Sequence, residues 1–322
     1  MGEGETLHYQ SVVPTAAADG DAAAEGFFDL ANAKCVRYTV ARGELEALGG
    51  GGGDVGVSGD GEKATSYELV VEQDQGLHDS CGGIVWESAY ALEQYMRRNL
   101  RRICESPPVK RKRGGVSRCK VLELGAGAGL LGLAVAVRGA KATVLTDHPN
   151  AMPLLERNVR RNASLFESGG NDAPAGGKKR KKSDDADPIA IAKAKTKTSK
   201  TSSCVETKRA KPTCMPMDWT IDAHVDAVAK RGPFELILAT DVVFNKDLVD
   251  PLLNAIRKCA GHRTAAYVCV QERCADAFEA FRSRAHTALG ACVEVPGEEL
   301  RFVDEACVLF ELKATSEVFP ET

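Results

Sequence analysis

The segment 121-VLELGAGAGLLG-132 decides the fold, because an apolar strand leads directly into a glycine-rich turn and then into a helix. Residues 120–124 have the composition of a buried strand, and residues 130–138 have that of a helix. Glycines between two such elements let the backbone turn sharply and approach a ligand closely. The segment therefore predicts one strand–turn–helix unit of an α/β fold, with a ligand site at the turn.

Further strands and helices alternate on both sides of this unit. Further predicted strands are 67–72, 142–146, 235–239 and 265–270, and further predicted helices are 85–100, 151–162, 248–259 and 275–289. Two last strands, 292–295 and 306–312, have no helix between them that is long enough for a crossover. The pattern predicts a doubly wound parallel sheet of the Rossmann-like class, seven-stranded, ending in an antiparallel C-terminal hairpin.

The ligand at the glycine turn has three interpretations. Gly127 and Gly129 open a match to the dinucleotide fingerprint, and Asp147 lies twenty residues after Gly127, where an acid that binds ribose is expected. Glu123 at the strand end would repel a pyrophosphate but would attract the ammonium and sulfonium groups of S-adenosylmethionine. The terminal hairpin also fits methyltransferases better than dehydrogenases. S-adenosylmethionine is therefore favoured over a dinucleotide, and over glycines that serve helix packing alone.

Composition excludes several classes of protein. The 322 residues carry 42 Lys and Arg against 45 Asp and Glu, and 43% are hydrophobic, which excludes a wholly disordered or collagen-like chain. No apolar run approaches the roughly 20 residues of a membrane span, and the N-terminus does not resemble a signal peptide, so we expect no membrane association. The eleven cysteines include no CxxC pair, and the six histidines have no metal-ligand spacing. We expect reduced thiols and no metal.

Two segments interrupt the α/β pattern. Residues 1–66 hold 13 of the 31 glycines and are predicted to be a largely flexible extension, with one short strand-like stretch at 35–40. Residues 67–322 are predicted to form the methyltransferase domain, interrupted by a basic disordered insertion at 163–211. One domain with two flexible segments therefore accounts for the length.

The insertion also changes the meaning of the net charge of −3. It carries a net charge of +6, so the rest of the chain carries −9. The cluster 178-KKRKK-182 is open to three interpretations: a nuclear-localisation signal, a nucleic-acid contact or an inert loop. An acidic domain suits basic protein substrates better than a phosphate backbone, so we expect no specific nucleic-acid partner.

Five segments together resemble methyltransferase family 16, the seven-strand "methyltransferase-like" protein-lysine methyltransferases. They are 83-GIVWESA-89, 121-VLELGAGAGLLG-132, 145-LTDHPNAMPLLERNVRRN-162, Asp218-Trp219 and 238-LATDVVF-244. Their order and spacing match over residues 67–315 apart from the insertion. Glycine turns are common to all class I methyltransferases, whereas the segments around Trp86 and Asp241 make the resemblance specific to this family.

The resemblance implies a set of residues that bind S-adenosyl-L-methionine, with S-adenosyl-L-homocysteine as product and no metal. They are Trp86, Glu123, Gly125, Gly127, Gly129, Asp147, Asp218 and Trp219. The three glycines would pass beneath the methionine part, and Glu123 would contact its charge directly or through water. Asp147 would accept the ribose hydroxyls, with a helix N-cap as its structural alternative. Asp218 and Trp219 would frame the adenine.

For the transfer step the resemblance implies Asp241 and Phe244. The family pattern is Asp-x-x-Tyr, and this chain has phenylalanine, which keeps an aromatic face for a methylammonium group but lacks the hydroxyl. Asp241 would orient the amine, yet its charge favours the ammonium form, so a role as general base does not follow. Residues 271–273 are candidates for the substrate rim or for ordinary surface positions.

The sequence thus predicts a monomeric protein N-methyltransferase that acts on a lysine of a non-histone protein. We expect a cytoplasmic protein, with the nucleus as a further location. Transfer to histidine, to an N-terminal amine or to a small molecule remains an alternative, as does a non-catalytic interaction protein. A nucleic-acid methyltransferase is disfavoured because the chain lacks an Asn/Asp-Pro-Pro-aromatic tetrapeptide.

Overall fold

The computed structural model describes two β-sheets and the helices that pack on them. The described residues are 6–9, 30–41, 66–77, 81–105, 116, 119–166, 209–300 and 306–320. The strands are β1 Thr6–Tyr9, β2 Cys35–Ala41, β3 Ser66–Glu72, β4 Lys120–Leu124, β5 Ala142–Asp147, β6 Thr213–Pro216, β7 Leu236–Thr240, β8 Ala265–Gln271, β9 Gly290–Val295 and β10 Cys307–Ala314. The α-helices are α1 Glu87–Glu105, α2 Leu130–Val137, α3 Met152–Arg161, α4 Asp222–Ala229, α5 Val249–Cys259, α6 Ala275–Arg284, α7 His286–Leu289 and α8 Gly297–Leu300. In the described ranges no helix is both long and apolar enough to cross a lipid bilayer.

The larger sheet has seven strands in the order β6-β5-β4-β7-β8-β10-β9. Strands β4 to β8 pair in parallel, and β10 pairs antiparallel to both β8 and β9. The predicted fold class is therefore confirmed, including the antiparallel hairpin at the C-terminal end.

The chain reverses its direction of travel across this sheet beside β4. It moves outward from β4 through β5 to β6 and then returns to β7 on the other side of β4. Open α/β sheets bind ligands at such a switch point, outside the carboxyl ends of the strands. The turns that follow β4 and β7 therefore face each other across a crevice.

Both faces of the large sheet are covered by helices, and its strands alternate between the two cores. Val121 of β4 packs on the side of α1, whereas its neighbour Leu122 packs on the side of α5 and α6. Helix α2 is buried along its whole length. A sheet buried on both faces explains why these strands are apolar throughout rather than alternating with polar residues.

The smaller sheet has the order β1-β2-β3, with β2 parallel to β1 and antiparallel to β3. The predicted strands at 35–40 and 67–72 are confirmed as β2 and β3. Neither belongs to the large sheet, whose seventh strand is β6, which the sequence pattern did not predict. Strand β6 has four residues, ends at Pro216 and follows Pro212, so it shows too little periodicity to be recognised.

The helix pattern also differs from the prediction, and the short α8 was not predicted. The predicted helix at 275–289 is divided at Ala285 into α6 and α7, and α4 was not predicted. Ala285 itself is buried and donates to the Phe281 carbonyl at 2.7 Å, so the division occurs within a packed segment.

Two asparagines, Asn158 within α3 and Asn162 at its C-cap, bind the outer edge of β3. The Asn162 side chain accepts from the Val70 N–H and donates to the Val70 carbonyl, both at 2.9 Å. The Asn158 side chain accepts from the Glu72 N–H at 2.8 Å and donates to the Glu72 carbonyl at 2.9 Å. It also donates to the Ala128 carbonyl at 2.9 Å. Both side chains are buried. Helix α3 therefore connects the small sheet to the glycine turn after β4.

The two ends of the predicted insertion contact the domain. Phe166 is buried, and the Arg209 guanidinium lies 4.1 Å from the centre of the Tyr67 ring. Arg209 also donates to the Leu165 carbonyl at 2.9 Å, so the chain departs and returns at neighbouring points. Residues 167–208, the basic clusters 110–113 and 178–182, and most of residues 1–66 lie outside the described residues. The domain boundaries stay a prediction.

Candidate active site

A cavity of about 380 Å³ opens at the carboxyl ends of β4, β5 and β7. Its lining contains all ten residues that the sequence predicts for cofactor binding and transfer. They are Trp86, Glu123, Gly125, Gly127, Gly129, Asp147, Asp218, Trp219, Asp241 and Phe244. These residues come from five separate stretches of the chain, and the switch point of the sheet brings them together.

The glycine turn presents bare backbone to this cavity. Gly125, Gly127 and Gly129 have φ values of 63°, 54° and 87°, a region that favours glycine. A Cβ atom at Gly125 would lie 2.8 Å from Cγ1 of Val242 across the crevice. A side chain at any of the three would strain the backbone, and one at Gly125 would also overlap Val242.

Glu123 lies below the turn as a buried carboxyl group, only 1% exposed. Its Oε2 accepts from the Gly132 N–H at 3.0 Å, in the first turn of α2. Burial raises the pKa of Glu123 to about 8, with Asp147 adding to the rise and the Gly132 amide opposing it. The carboxyl is thus mostly neutral at pH 7, and a cation beside it would favour its ionised form. The predicted repulsion of a pyrophosphate is correspondingly weaker without such a cation.

Asp147 at the end of β5 faces the same turn. Its Oδ2 accepts from the Gly127 N–H and its Oδ1 from the His148 N–H, both at 2.6 Å. Burial raises the pKa of Asp147, and the two amides oppose that rise. The N-cap of α3 is Ala151, so Asp147 does not cap this helix. Its carboxylate is fixed against the glycine turn, where it can still accept hydroxyl donors from a ligand.

Asp218 and Trp219 line the cavity beside Asp147, since the N–H of the preceding Met217 donates to the Asp147 carbonyl at 2.8 Å. Asp218 Oδ1 accepts from the N–H and the hydroxyl of Thr220 at 2.9 and 2.7 Å, and the hydroxyl is the main reason why the pKa of Asp218 is lowered. Its Oδ2 lies 3.7 Å from His148 Nε2. The indole Nε1 of Trp219 is buried and has no hydrogen-bond partner among the residues that the structure describes. This donor can bind an acceptor on a ligand that fills the cavity.

The residues present fit S-adenosylmethionine. The bare turn can pass beneath a ligand, Glu123 offers a buried carboxyl to a cation, and the unpaired Trp219 N–H offers a donor to a ring nitrogen. The cavity volume falls within the roughly 300–1,000 Å³ of small-molecule sites. No cluster of three potential metal ligands occurs in the described part of the chain.

Asp241 follows β7 with a φ of 50°, unusual for a residue with a side chain. Its N–H donates to the Cys269 carbonyl at 2.9 Å, and its Oδ1 accepts from the Gln271 N–H at 2.9 Å. Oδ2 has no well-formed hydrogen bond within the described residues and lies 3.6 Å from Arg273 Nη2. Burial raises the pKa of Asp241, and the Gln271 amide and Arg273 oppose that rise. One carboxylate oxygen is held by a backbone amide, and the Ser88 hydroxyl and Arg273 also interact with the carboxylate.

Two aromatic rings stand at the mouth of the cavity. Phe244 is 41% exposed, the largest exposure of any aromatic side chain recorded among the described residues. Trp86, just before α1, is partly buried, and the Arg273 guanidinium carbon lies 4.4 Å from its ring centre. The mouth is therefore apolar and aromatic, with one cation at its edge.

A model of methyltransferase family 16, described as lysine methyltransferase, matches residues 63–169 and 189–286, which is more than half of the chain. The chain belongs to this family. It is a methyltransferase, as the sequence predicts, and its cavity fits S-adenosylmethionine. The mouse protein "EEF1A lysine methyltransferase 3" is 26% identical over 218 residues, which is 68% of each chain.

Solved structures include two similar methyltransferases. The TehB-like SAM-dependent methyltransferase of Corynebacterium glutamicum is 12% identical over 73% of this chain and 90% of its own, with a TM-score of 0.38. The ribosomal protein L11 methylase of Lactobacillus delbrueckii subsp. bulgaricus is 13% identical over 68% and 77%, with a TM-score of 0.35.

Several residues of this family member's cavity were not predicted from the sequence. Gly82 packs on the turn, since a Cβ atom there would lie 3.1 Å from that of Ala151 and 3.4 Å from Gly127 Cα. The glycine pair preceding Trp86 was the available signal. His148 and Met217 also line the cavity but carry no spacing signal. Of the candidate rim at 271–273, Gln271 and Arg273 contact Asp241.

Proposed function

We propose that this methyltransferase transfers a methyl group to the ε-amine of a lysine in a non-histone protein. The observation that carries the proposal is the position of Asp241 Oδ2, which lines the same cavity as the cofactor residues and has no well-formed hydrogen bond within the described ranges. A lysine that enters past the exposed ring of Phe244 would meet this oxygen at the end of its path.

The residues of the chain have positioning tasks. Bound S-adenosylmethionine would supply a methyl group on a cationic sulfur, and the S–C bond would break with its electron pair on sulfur as the new C–N bond forms. Asp241 would accept a hydrogen bond from the incoming nitrogen and orient its lone pair. Trp86 and Phe244 would exclude water from the mouth and hold the methylene chain of the lysine. Holding the two reacting atoms in line and close together is the main contribution that a protein makes to such a displacement.

Three observations support a protein substrate. The family is described as lysine methyltransferase, and the mouse relative is named for EEF1A. Outside the basic insertion the chain carries a net charge of −9, which favours a basic segment of a partner over a nucleic acid. EEF1A is therefore the first acceptor to test.

Tritium transfer tests the proposal. The purified protein is incubated with methyl-labelled S-adenosylmethionine and either EEF1A or a whole-cell extract, and the products are divided between protease and nuclease digestion. We expect label that protease releases and nuclease does not, located on lysine by amino-acid analysis. Asp241→Asn, which keeps the shape of the side chain, should abolish the label. Label on nucleic acid, on histidine or on small molecules only would refute the lysine assignment.

Location and assembly are parts of the same proposal. We propose that the protein is a monomer in the cytoplasm. We also propose that the basic insertion directs a fraction of it to the nucleus. Imaging of a fluorescent fusion with and without residues 178–182 tests the location, and light scattering tests the assembly. A dimer in dilute solution would refute the second statement.

A further inference from the structure

Arg273 follows β8 at the mouth of the cavity and contacts four side chains around the proposed acceptor position. Its guanidinium carbon lies 4.4 Å from the centre of the Trp86 ring, and its Nη2 lies 3.2 Å from Oε2 of Glu87. The same nitrogen donates to the side-chain carbonyl of Gln271 and lies 3.6 Å from Oδ2 of Asp241. Arg273 is thus the cation that shares the mouth with the acceptor-binding oxygen.

Arg273 halves the net negative charge at this mouth. Glu87 and Asp241 contribute two carboxylates, and Arg273 is the cation that pairs with both of them in the described residues. Asp276, at the start of the next helix, has other partners: a hydrogen bond from Cys274 and the charge of Lys246 both lower the pKa of this carboxyl. With Arg273 the group has a net charge of −1, and without it the net charge would be −2.

This difference matters because the acceptor must lose a proton before it can react. The nitrogen attacks with its lone pair, so the ammonium first releases H⁺ to solvent. The amine then forms the C–N bond while the S–C bond breaks and its electrons stay on sulfur. Nearby carboxylates favour the ammonium form, and a nearby cation favours the neutral amine. We propose that Arg273 is a positioning residue that keeps the bound acceptor lysine neutral by offsetting the charges of Asp241 and Glu87, an inference that rests on the proposed function.

The contacts of Arg273 favour a fixed cation over one that the substrate displaces. The guanidinium lies over the Trp86 ring, and its Nη2 contacts both the Glu87 carboxylate and the Gln271 side-chain carbonyl. Its contact with Asp241, at 3.6 Å, is the loosest. An incoming amine can therefore approach Asp241 Oδ2 without breaking the other three contacts.

The test is the pH dependence of kcat in Arg273→Gln and Arg273→Lys. Initial rates are measured at saturating cofactor with EEF1A, or with the protein that takes up label in the experiment above. In Arg273→Gln we expect the rise of kcat with pH to shift upward by about one pH unit, since a charge within about 4–6 Å shifts a pKa by roughly 1–3. Below that rise the rate falls about tenfold, and at high pH it returns to that of the wild type.

Two controls separate charge from folding. Arg273→Lys keeps the cation and should restore most of the profile, although the ammonium cannot stack on Trp86 as a planar guanidinium does. Arg282 pairs with Glu294 on the distant edge strand β9, so Arg282→Gln makes the same change in net charge and should leave the profile unchanged. Calorimetric binding of S-adenosylmethionine should be equal in all three variants and the wild type.

The pH profile of Arg273→Gln supports or overturns the inference. An upward shift in Arg273→Gln that Arg273→Lys reverses supports the inference. A rate lowered equally at every pH would show that Arg273 has a purely structural role. A rate raised at every pH would show that Arg273 blocks the acceptor position until the substrate displaces it. Either result overturns the inference. Absence of transfer by the wild type overturns the proposed function and this inference together, whereas wild-type transfer with an unshifted Arg273→Gln profile overturns this inference alone.

Discussion

Glu123 is buried as a neutral acid beneath the glycine turn, and this state should make cofactor binding depend on pH. Its pKa is about 8 in the free protein because burial disfavours the carboxylate. A cofactor ammonium beside it would require the ionised form, so binding below pH 8 releases a proton. We expect affinity for S-adenosylmethionine to rise from pH 6 to pH 8, by up to about tenfold per pH unit, and then to level off.

Calorimetry in phosphate and in Tris measures this proton directly, because the heats differ by the ionisation enthalpy of the buffer. Glu123→Gln is the matched control, since its amide cannot ionise. The variant should bind more weakly and with no such proton release. A wild-type affinity that is constant between pH 6 and pH 8 would contradict the role of Glu123.

Asp147 and Asp241 should affect separate steps, although both line the same cavity. Asp147 accepts from the backbone of the glycine turn and faces the proposed ribose position, so Asp147→Ala should weaken cofactor binding at least about tenfold, the effect of a lost charged hydrogen bond of roughly 1.5–3 kcal/mol. Asp241→Asn should leave this affinity largely unchanged and abolish transfer. Equilibrium binding and label transfer on both variants test the division, and turnover by Asp241→Asn would show that Asp241 is misassigned.

At the scale of elements, the two asparagines of α3 give a matched pair of variants. Each satisfies an N–H and a carbonyl of β3, so Asn158→Ala and Asn162→Ala should each lower the free energy of unfolding by about 1–3 kcal/mol. Only Asn158 also binds the Ala128 carbonyl of the glycine turn. We therefore expect weaker cofactor binding in Asn158→Ala alone.

Chemical denaturation measures the first effect, and calorimetry with S-adenosylmethionine measures the second. Asn162→Ala is the control, because it loses the same strand contacts without touching the turn. Equal loss of cofactor affinity in both variants would show that the small sheet as a whole, rather than Asn158, supports the turn.

Helices and strands were predictable from sequence where the local hydrophobic pattern matches the burial of the folded element. Strands β4 and β7 are apolar because helices cover both faces, and their positions match the prediction closely. The sheet to which a strand belongs is set by its pairing rather than by its own residues. Strand β3 pairs with β2, which lies inside a glycine-rich segment. Strand β6 is defined by pairing with β5 rather than by its own four residues.

For the whole molecule, the geometry at the ends of the insertion makes a deletion informative. The Arg209 side chain reaches the Leu165 carbonyl, so a linker of about eight Gly and Ser residues can replace residues 169–206. If the insertion is disordered, shortening this loop about fourfold should stabilise the domain by roughly 1 kcal/mol, because closing a shorter loop costs less entropy. Cofactor affinity should not change.

Thermal unfolding and calorimetry of the deletion variant make this comparison. A clear loss of stability would contradict the prediction, because it would mean that the insertion packs on the domain. A variant in which five Gly and Ser residues replace residues 178–182 serves as the control for loss of the basic cluster alone.

The site was more predictable than the molecule around it. Glu123, Asp147 and the glycines share one short region of sequence, so their meeting follows from a single strand–turn–helix unit. Asp241 and Trp219 were assigned through a family resemblance, since nothing in their own spacing brings them to the glycine turn. The contacts of Arg273 depend on how β8 ends beside α1, which only the folded chain shows. The raised pKa of Glu123 likewise depends on burial, which only the folded chain shows.

The asparagine contacts on β3 have one more consequence, for solubility. The outer edge of a sheet presents unpaired N–H and carbonyl groups that can recruit a strand from another molecule. At Val70 and Glu72 those groups are occupied by side chains of α3, and the helix itself stands where a foreign strand would dock. Loss of either asparagine should therefore leave an N–H and a carbonyl of this edge unpaired and loosen the helix that covers it, and such variants should aggregate on warming before the rest of the domain unfolds.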